Sequence, residues 1–192
     1  MVNRRGVLKI GAATVAGVLA KMPDSGRNLP PMRAHLAFHR AVFDERFEEC
    51  RRFAAELHRA GVRASAIRGD VAKLWYYDLR VQLREDRLPV VGLTDRPALF
   101  CLEELARDVG MRVIFRADHI IDPSGRTIHT AVGPTSLVAV ARNLPQVAGF
   151  GRTMAMLFSR LDISEPRDMA AHKRTGPFSP ENNTALVSWV IA

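Results

Sequence analysis

Asp44, Asp70, Asp95 and Asp118 each stand where an apolar run gives way to a more polar segment, with Thr94 beside Asp95 and His119 beside Asp118. Carboxylates and an imidazole gathered in one place suit a cation, a polyol or acid–base chemistry. Neighbouring carboxylates raise one another's pKa, and an imidazole titrates near neutrality. In that arrangement Asp70 or Asp95 is the general base, and His119 is the acid or a ligand. Asp44 and Thr94 would help to hold a bound molecule, with Trp75 and Tyr76 (and Tyr77 beside them) stacking on it. The same acids are also good N-caps, whose oxygens accept from the free amides of a first helical turn. More often such an aromatic trio is core plus rim.

His119 gains a partner if Pro123, Ser124 and Gly125 form a three-residue turn. Asp122 then faces Arg126, and counting back puts His119 opposite His129. Two imidazoles on one face of a ribbon can ligate a metal, with Asp95 or Asp70 as an oxygen ligand. A slip of one residue would instead oppose Asp118 and His129, and a pair with no ligand is the plainer alternative. His35 and His39, four apart, share a face in either helix or strand but have no third ligand nearby in sequence. Cys50 and Cys101 fall on the apolar stripes of two helices, as small buried hydrophobes. A bridge between them is open in an oxidising compartment, although helices on opposite sheet faces would keep them apart.

The elements that must position these residues alternate strand and helix. Residues 90–119 read as strand, helix, strand. The apolar run 89–93 suits a buried strand. Thr94 or Asp95 caps the helix that follows, Pro97 sits where a missing N–H costs little, and Gly110 stops it. Residues 111–117 supply the next strand, which returns parallel to the first by a right-handed crossover. Upstream, residues 34–44 form the first strand, 45–60 an amphipathic helix, 62–67 the second strand and 71–84 a second helix. Downstream, residues 127–132 return from the hairpin turn, and short helices cover 137–143 and 147–161. Residues 163–183 read as a surface excursion, and 185–192 as a last strand. The expected fold is α/β, a three-layer sandwich. Its mainly parallel central sheet is extended by a hairpin, so the strand exits share one edge, where ligands bind in such sheets.

The chain has 192 residues and a net charge of +8, of which Arg4, Arg5 and Lys9 supply three, leaving about +5 for the rest. The basic residues are scattered rather than blocked, so nucleic acid is not an expected partner. Two cysteines exclude a disulfide-rich scaffold and a zinc ribbon. No glycine-rich dinucleotide fingerprint, phosphate loop, nucleophile elbow or haem-attachment motif is present, and no residue pattern names a cofactor.

Residues 1–20 carry Arg4-Arg5 with Leu8 and Lys9 after them, then a modest run rich in Ala and Gly. This segment resembles a twin-arginine (Tat) export signal. Asn3 and Val7 stand where that pattern prefers Ser or Thr and Phe. The resemblance implies the Tat machinery as a partner, export of an already folded chain and a periplasmic location. Residues 21–33, with Pro23, Pro30 and Pro31, read as a linker, and residues 34–192 as one α/β domain. These features favour a periplasmic binding or accessory protein for a small polar ligand or a metal. The alternatives are an exported hydrolase using Asp and His at the same rim, and an interaction subunit that makes contact through residues 163–183.

Overall fold

The computed structural model describes residues 38, 40–160, 168–173 and 182–192, within a compact unit that spans Arg33–Ala192. The segments expected to be an export signal and a linker, with His35 and His39, lie outside the described residues. Among the described residues seven strands form one sheet: β1 (Arg40–Asp44), β2 (Arg63–Ile67), β3 (Val90–Asp95), β4 (Val113–Ile121), β5 (Thr127–Pro134), β6 (Met169–Lys173) and β7 (Thr184–Ile191). Their order is β2-β1-β3-β7-β4-β5-β6.

The α/β class holds, but the sheet is mixed rather than mainly parallel. Only β1 pairs in parallel, with β2 and β3; the other four pairings are antiparallel. The reason is β7. It inserts between β3 and β4 and runs against both, so β3 and β4 keep the same direction without touching. Gly92 lets it in. The Trp189 ring lies across the pairing from Gly92, where a Cβ would meet ring atoms at 2.1 Å. The stretch expected to be an irregular excursion contains β6, an edge strand that pairs with β5.

Side-chain alternation splits the core into two clusters, one on each face of the sheet. Ala41, Val91, Leu93, Phe115, Ala117, Ala131, Leu186 and Val190 face α1 (Glu48–Arg59), α5 (Thr135–Arg142) and α6 (Phe150–Phe158). Val42, Ile67, Val90, Val187, Trp189 and Ile191 face the other helices. Those are α2 (Ala72–Leu74), a π-helical turn (Trp75–Leu79), α3 (Arg80–Glu85) and α4 (Arg96–Arg107). The helix expected over residues 71–84 is thus one run widened in its middle by the π turn.

The helix signals act locally as chemistry requires. Asp95 caps α4 by accepting from the Ala98 amide at 2.9 Å, with proline inside the first turn. Gly149 and Gly151 stand at the start of α6 beside α1, and Gly151 admits the close approach. The Glu49 carboxylate accepts from both their amides at 2.8 Å, and a Cβ on Gly151 would lie 2.1 Å from the Glu49 carbonyl oxygen. Among the described residues, no helix is long and apolar enough to cross a membrane.

Candidate functional site

Strand direction puts the ends of β1, β2, β3 and β4 on one edge, as the spacing requires. Asp44 and Asp95 come together there through a residue the sequence reading left unassigned. Arg46 Nη2 lies 2.5 Å from Asp44 Oδ2 and 2.5 Å from Asp95 Oδ2. Its Nε donates to Asp44 at 2.9 Å, and its backbone amide donates to Asp44 Oδ1 at 3.1 Å. Asp44 is fully buried, so this clamp satisfies a carboxylate that burial alone would penalise heavily. Hydrogen bonding to Asp44, supported by Asp95, raises the guanidinium pKa further above its already high value. Gly69 lies over the guanidinium, with a position for Cβ 2.8 Å from Arg46 Nη2. The expected cluster of free acids is therefore an acid pair neutralised by arginine. An arginine two positions after Asp44 was visible in the sequence as a charge, but its reach across to β3 was not.

Asp118 belongs to a second ion cluster, with Arg96 Nε at 3.0 Å and Arg116 Nη2 at 3.3 Å. Thr94 is buried and faces Trp189. Its hydroxyl donates to the Asp95 carbonyl at 3.0 Å and accepts from Trp189 Nε1 at 3.1 Å. Trp75 is a core residue at 2% exposure, whereas Tyr76 and Tyr77 are 59% and 84% exposed. Trp75 is therefore not open to a ligand, whereas both tyrosines face solvent.

His119 pairs with His129 in the expected register, and the Asp122 amide bonds to the Arg126 carbonyl across the turn. Both histidines sit on the buried face, not on the rim. Phe150 covers them, with ring centroids 4.6 Å from His119 and 5.3 Å from His129. The hydrogen-bond chain fixes their tautomers. His129 Nε2 is 2.9 Å from the Pro145 carbonyl, which only accepts, so this nitrogen carries a hydrogen. In the neutral ring Nδ1 is then bare, and accepts from His119 Nδ1 at 2.7 Å. His119 Nε2 in turn accepts from the Ser188 hydroxyl at 2.8 Å. Desolvation, and next the neighbouring His129, push His119 well below the ordinary imidazole pKa.

A serine hydroxyl donating to a doubly engaged histidine has the connectivity of a nucleophile and its base. Ser188 has no exposed surface, however, so a substrate carbonyl has no approach to it. Nor do the acids proposed as metal ligands reach the pair. Asp95 is level with His119 but on the far side of β7, and its oxygens are held by Arg46 and the start of α4. Among the described residues no group of three or more His, Cys, Asp or Glu comes together to hold a metal ion. Both cysteines are free. Cys50 is buried, and burial raises its thiol pKa; Cys101 is exposed, contrary to its expected core position, because it falls on the outer side of α4.

Asp70 opens onto solvent in a cleft of about 610 Å³ at the end of β2. Residues 65–67 of β2 form one wall; Lys73, Leu74 and Tyr77 form the other; Glu45, Arg68 and Asp70 close the end. Asp70 Oδ1 accepts from the Ala72 amide at 2.8 Å and so also starts α2. Arg68 Nε lies 3.2 Å from Glu45 Oε1. Of the residues singled out in the sequence, the structure thus joins Asp44 to Asp95 and His119 to His129. Asp70 lies in the neighbouring cleft, and Asp118 is held in its own ion cluster. Comparison with protein-family models, curated proteins and solved structures finds no match.

Proposed function

We propose that this chain is an exported, periplasmic binding or accessory protein that holds a small polar ligand in the cleft beside Asp70. The observation that carries the reading is the cleft itself. It lies at the C-terminal end of β2, and its wall has both signs of charge, a strand backbone and an exposed tyrosine. The twin-arginine resemblance of residues 1–20 supports the location. Asp70 and Lys73 would orient the ligand and Tyr77 would cover it, while the Asp44–Arg46–Asp95 clamp keeps the rim rigid.

A thermal-shift screen of the full chain against amino acids, sugars, small carboxylates and divalent metals tests the ligand. A ligand at 100 times its Kd adds about 2.7 kcal/mol to the folded state, well within detection. The shift should shrink in Lys73→Ala and Asp70→Asn. If no class moves Tm, the reading fails. For export, residues 1–33 fused to a folded fluorescent reporter should carry it to the periplasm, and Arg4→Lys with Arg5→Lys should hold it in the cytoplasm. A reporter exported equally well with both lysines would refute the assignment.

A further inference from the structure

We propose that the outward face of the helical run formed by α2, the π turn and α3 docks on an anionic lipid bilayer, lying on its surface without crossing it. The proposal goes beyond the cleft reading and does not depend on it.

The run buries Val71, Trp75, Leu79 and Leu83, four residues apart, in the core. Each residue turns the helix by about 100°, and somewhat less in the π turn. The opposite side therefore carries two rows at the same spacing. One is Tyr76, Arg80 and Arg84; the other is Lys73, Tyr77 and Val81, and all six are exposed. Neither row holds an acid. Asp78 turns inward to Arg40, and Glu85 lies round the flank beyond Val81.

Ion pairing sets this face apart from the other helices. On α1 and α4, Arg51, Arg52, Arg59 and Arg107 each pair with a glutamate three or four residues away. Arg80 and Arg84 have no acid at those spacings, and they stand four apart, where like charges repel. Among the described residues neither they nor Lys73 make an ion pair. The cations alone would suit any polyanion. The apolar members narrow the choice. Tyr76, Tyr77 and Val81 are three of the nine large apolar side chains exposed among the described residues, and they project from the outside of a helix. A polyanion with no apolar layer would satisfy the cations and leave these side chains in water. A bilayer takes both: tyrosine rings settle at the headgroup level, and arginine and lysine reach the phosphates around them.

The test sediments the full chain with vesicles of phosphatidylcholine alone or mixed equally with phosphatidylglycerol. The parent should bind the mixed vesicles at least roughly tenfold better. Arg80→Gln with Arg84→Gln should lose roughly 25-fold of that binding, at about fivefold for each cation near such a surface, whereas Arg80→Lys with Arg84→Lys should keep it. All chains carry the same residues 1–33, so the difference reads the face alone, and neither arginine lines the cleft. Both positions are exposed, so circular dichroism and Tm should match the parent. In Tyr76→Trp, brominated lipid chains in the mixed vesicles should quench the added emission. Equal binding to the two kinds of vesicle, equal binding by the parent and the glutamine variant, or an absence of quenching would overturn the proposal. Binding to polyglutamate as tight as to the mixed vesicles would overturn it in favour of an acidic protein partner.

Discussion

His119 and His129 share one hydrogen between their Nδ1 atoms beneath Phe150, and burial favours the neutral His119 ring. The linkage to stability follows from the sign of the shift. The folded pKa of His119 lies below the unfolded value of about 6.5, so the unfolded chain binds the proton more readily. The contribution to stability is complete above that value and declines as pH falls from it towards the folded pKa, at up to about 1.4 kcal/mol per pH unit for one proton. Urea midpoints at pH 8, 6.5 and 5 should show this decline. Ring nitrogen resonances should report neutral His119 at pH 6. A His119 ring that titrates with an ordinary midpoint would contradict the buried chain. The opposition of these two histidines was readable in advance because a hairpin turn sets its register locally: Pro123-Ser124-Gly125 and Asp122 determine who faces whom. The arginine clamp was not readable. Arg46 acts through a long side chain whose second partner, Asp95, is distant in sequence, and no local pattern encodes that meeting.

At the scale of elements, the π turn has a definite effect. It carries Asp78 over the buried Arg40, to which both carboxylate oxygens bond, with Gln82 adding a bond at 2.9 Å. Arg40 has no exposed surface, and its Nε lacks a hydrogen-bond partner among the described residues, so it depends on that carboxylate. Asp78→Ala should cost about 3–5 kcal/mol in urea denaturation, the range for a buried charge stripped of its partner. Arg40→Met combined with Asp78→Ala should recover much of the loss, and equal losses in the two variants would show that the pair matters little. The contact between α1 and α6 is equally specific. Gly151→Ala places a methyl group against the Glu49 backbone and should cost about 1–3 kcal/mol, read as a lower Tm. Helix positions were legible from apolar spacing, as in Phe53 and Leu57 of α1 or Leu99 and Leu102 of α4. The π turn was not, since Trp75–Leu79 has no residue that marks an inserted position. β6 was hidden because its short run, Met169–Lys173, is flanked by charge and proline and takes its strand form only by pairing with β5.

At the scale of the molecule, the sequence reading found an α/β chain with β1 to β4 pointing one way, and missed what lies between β3 and β4. Strand order is a property of distant segments, and the apolar run of β7 fits the centre of a sheet as well as its margin. Only Gly92 hinted at a close neighbour, and it did not say which. The central place of β7 makes a severe demand. A chain stopped after Asn183 leaves β3 and β4 without the strand that joins them, and also without Trp189, Leu186, Val187 and Val190 in the two core clusters. It should lack a cooperative melting transition and be rapidly digested by trypsin. A protected fragment with a sharp melt would show that β1–β3 and β4–β6 stand independently.

That same strand orders events in time. A ribosome releases residues from the N-terminus onward at roughly 5–20 per second, and β7 follows the other six described strands. Until it emerges, the two half-sheets have open margins and meet only through contacts outside the sheet, such as α1 against α6. The seven-stranded order therefore cannot close until these eight residues have been made, whatever the earlier strands have done.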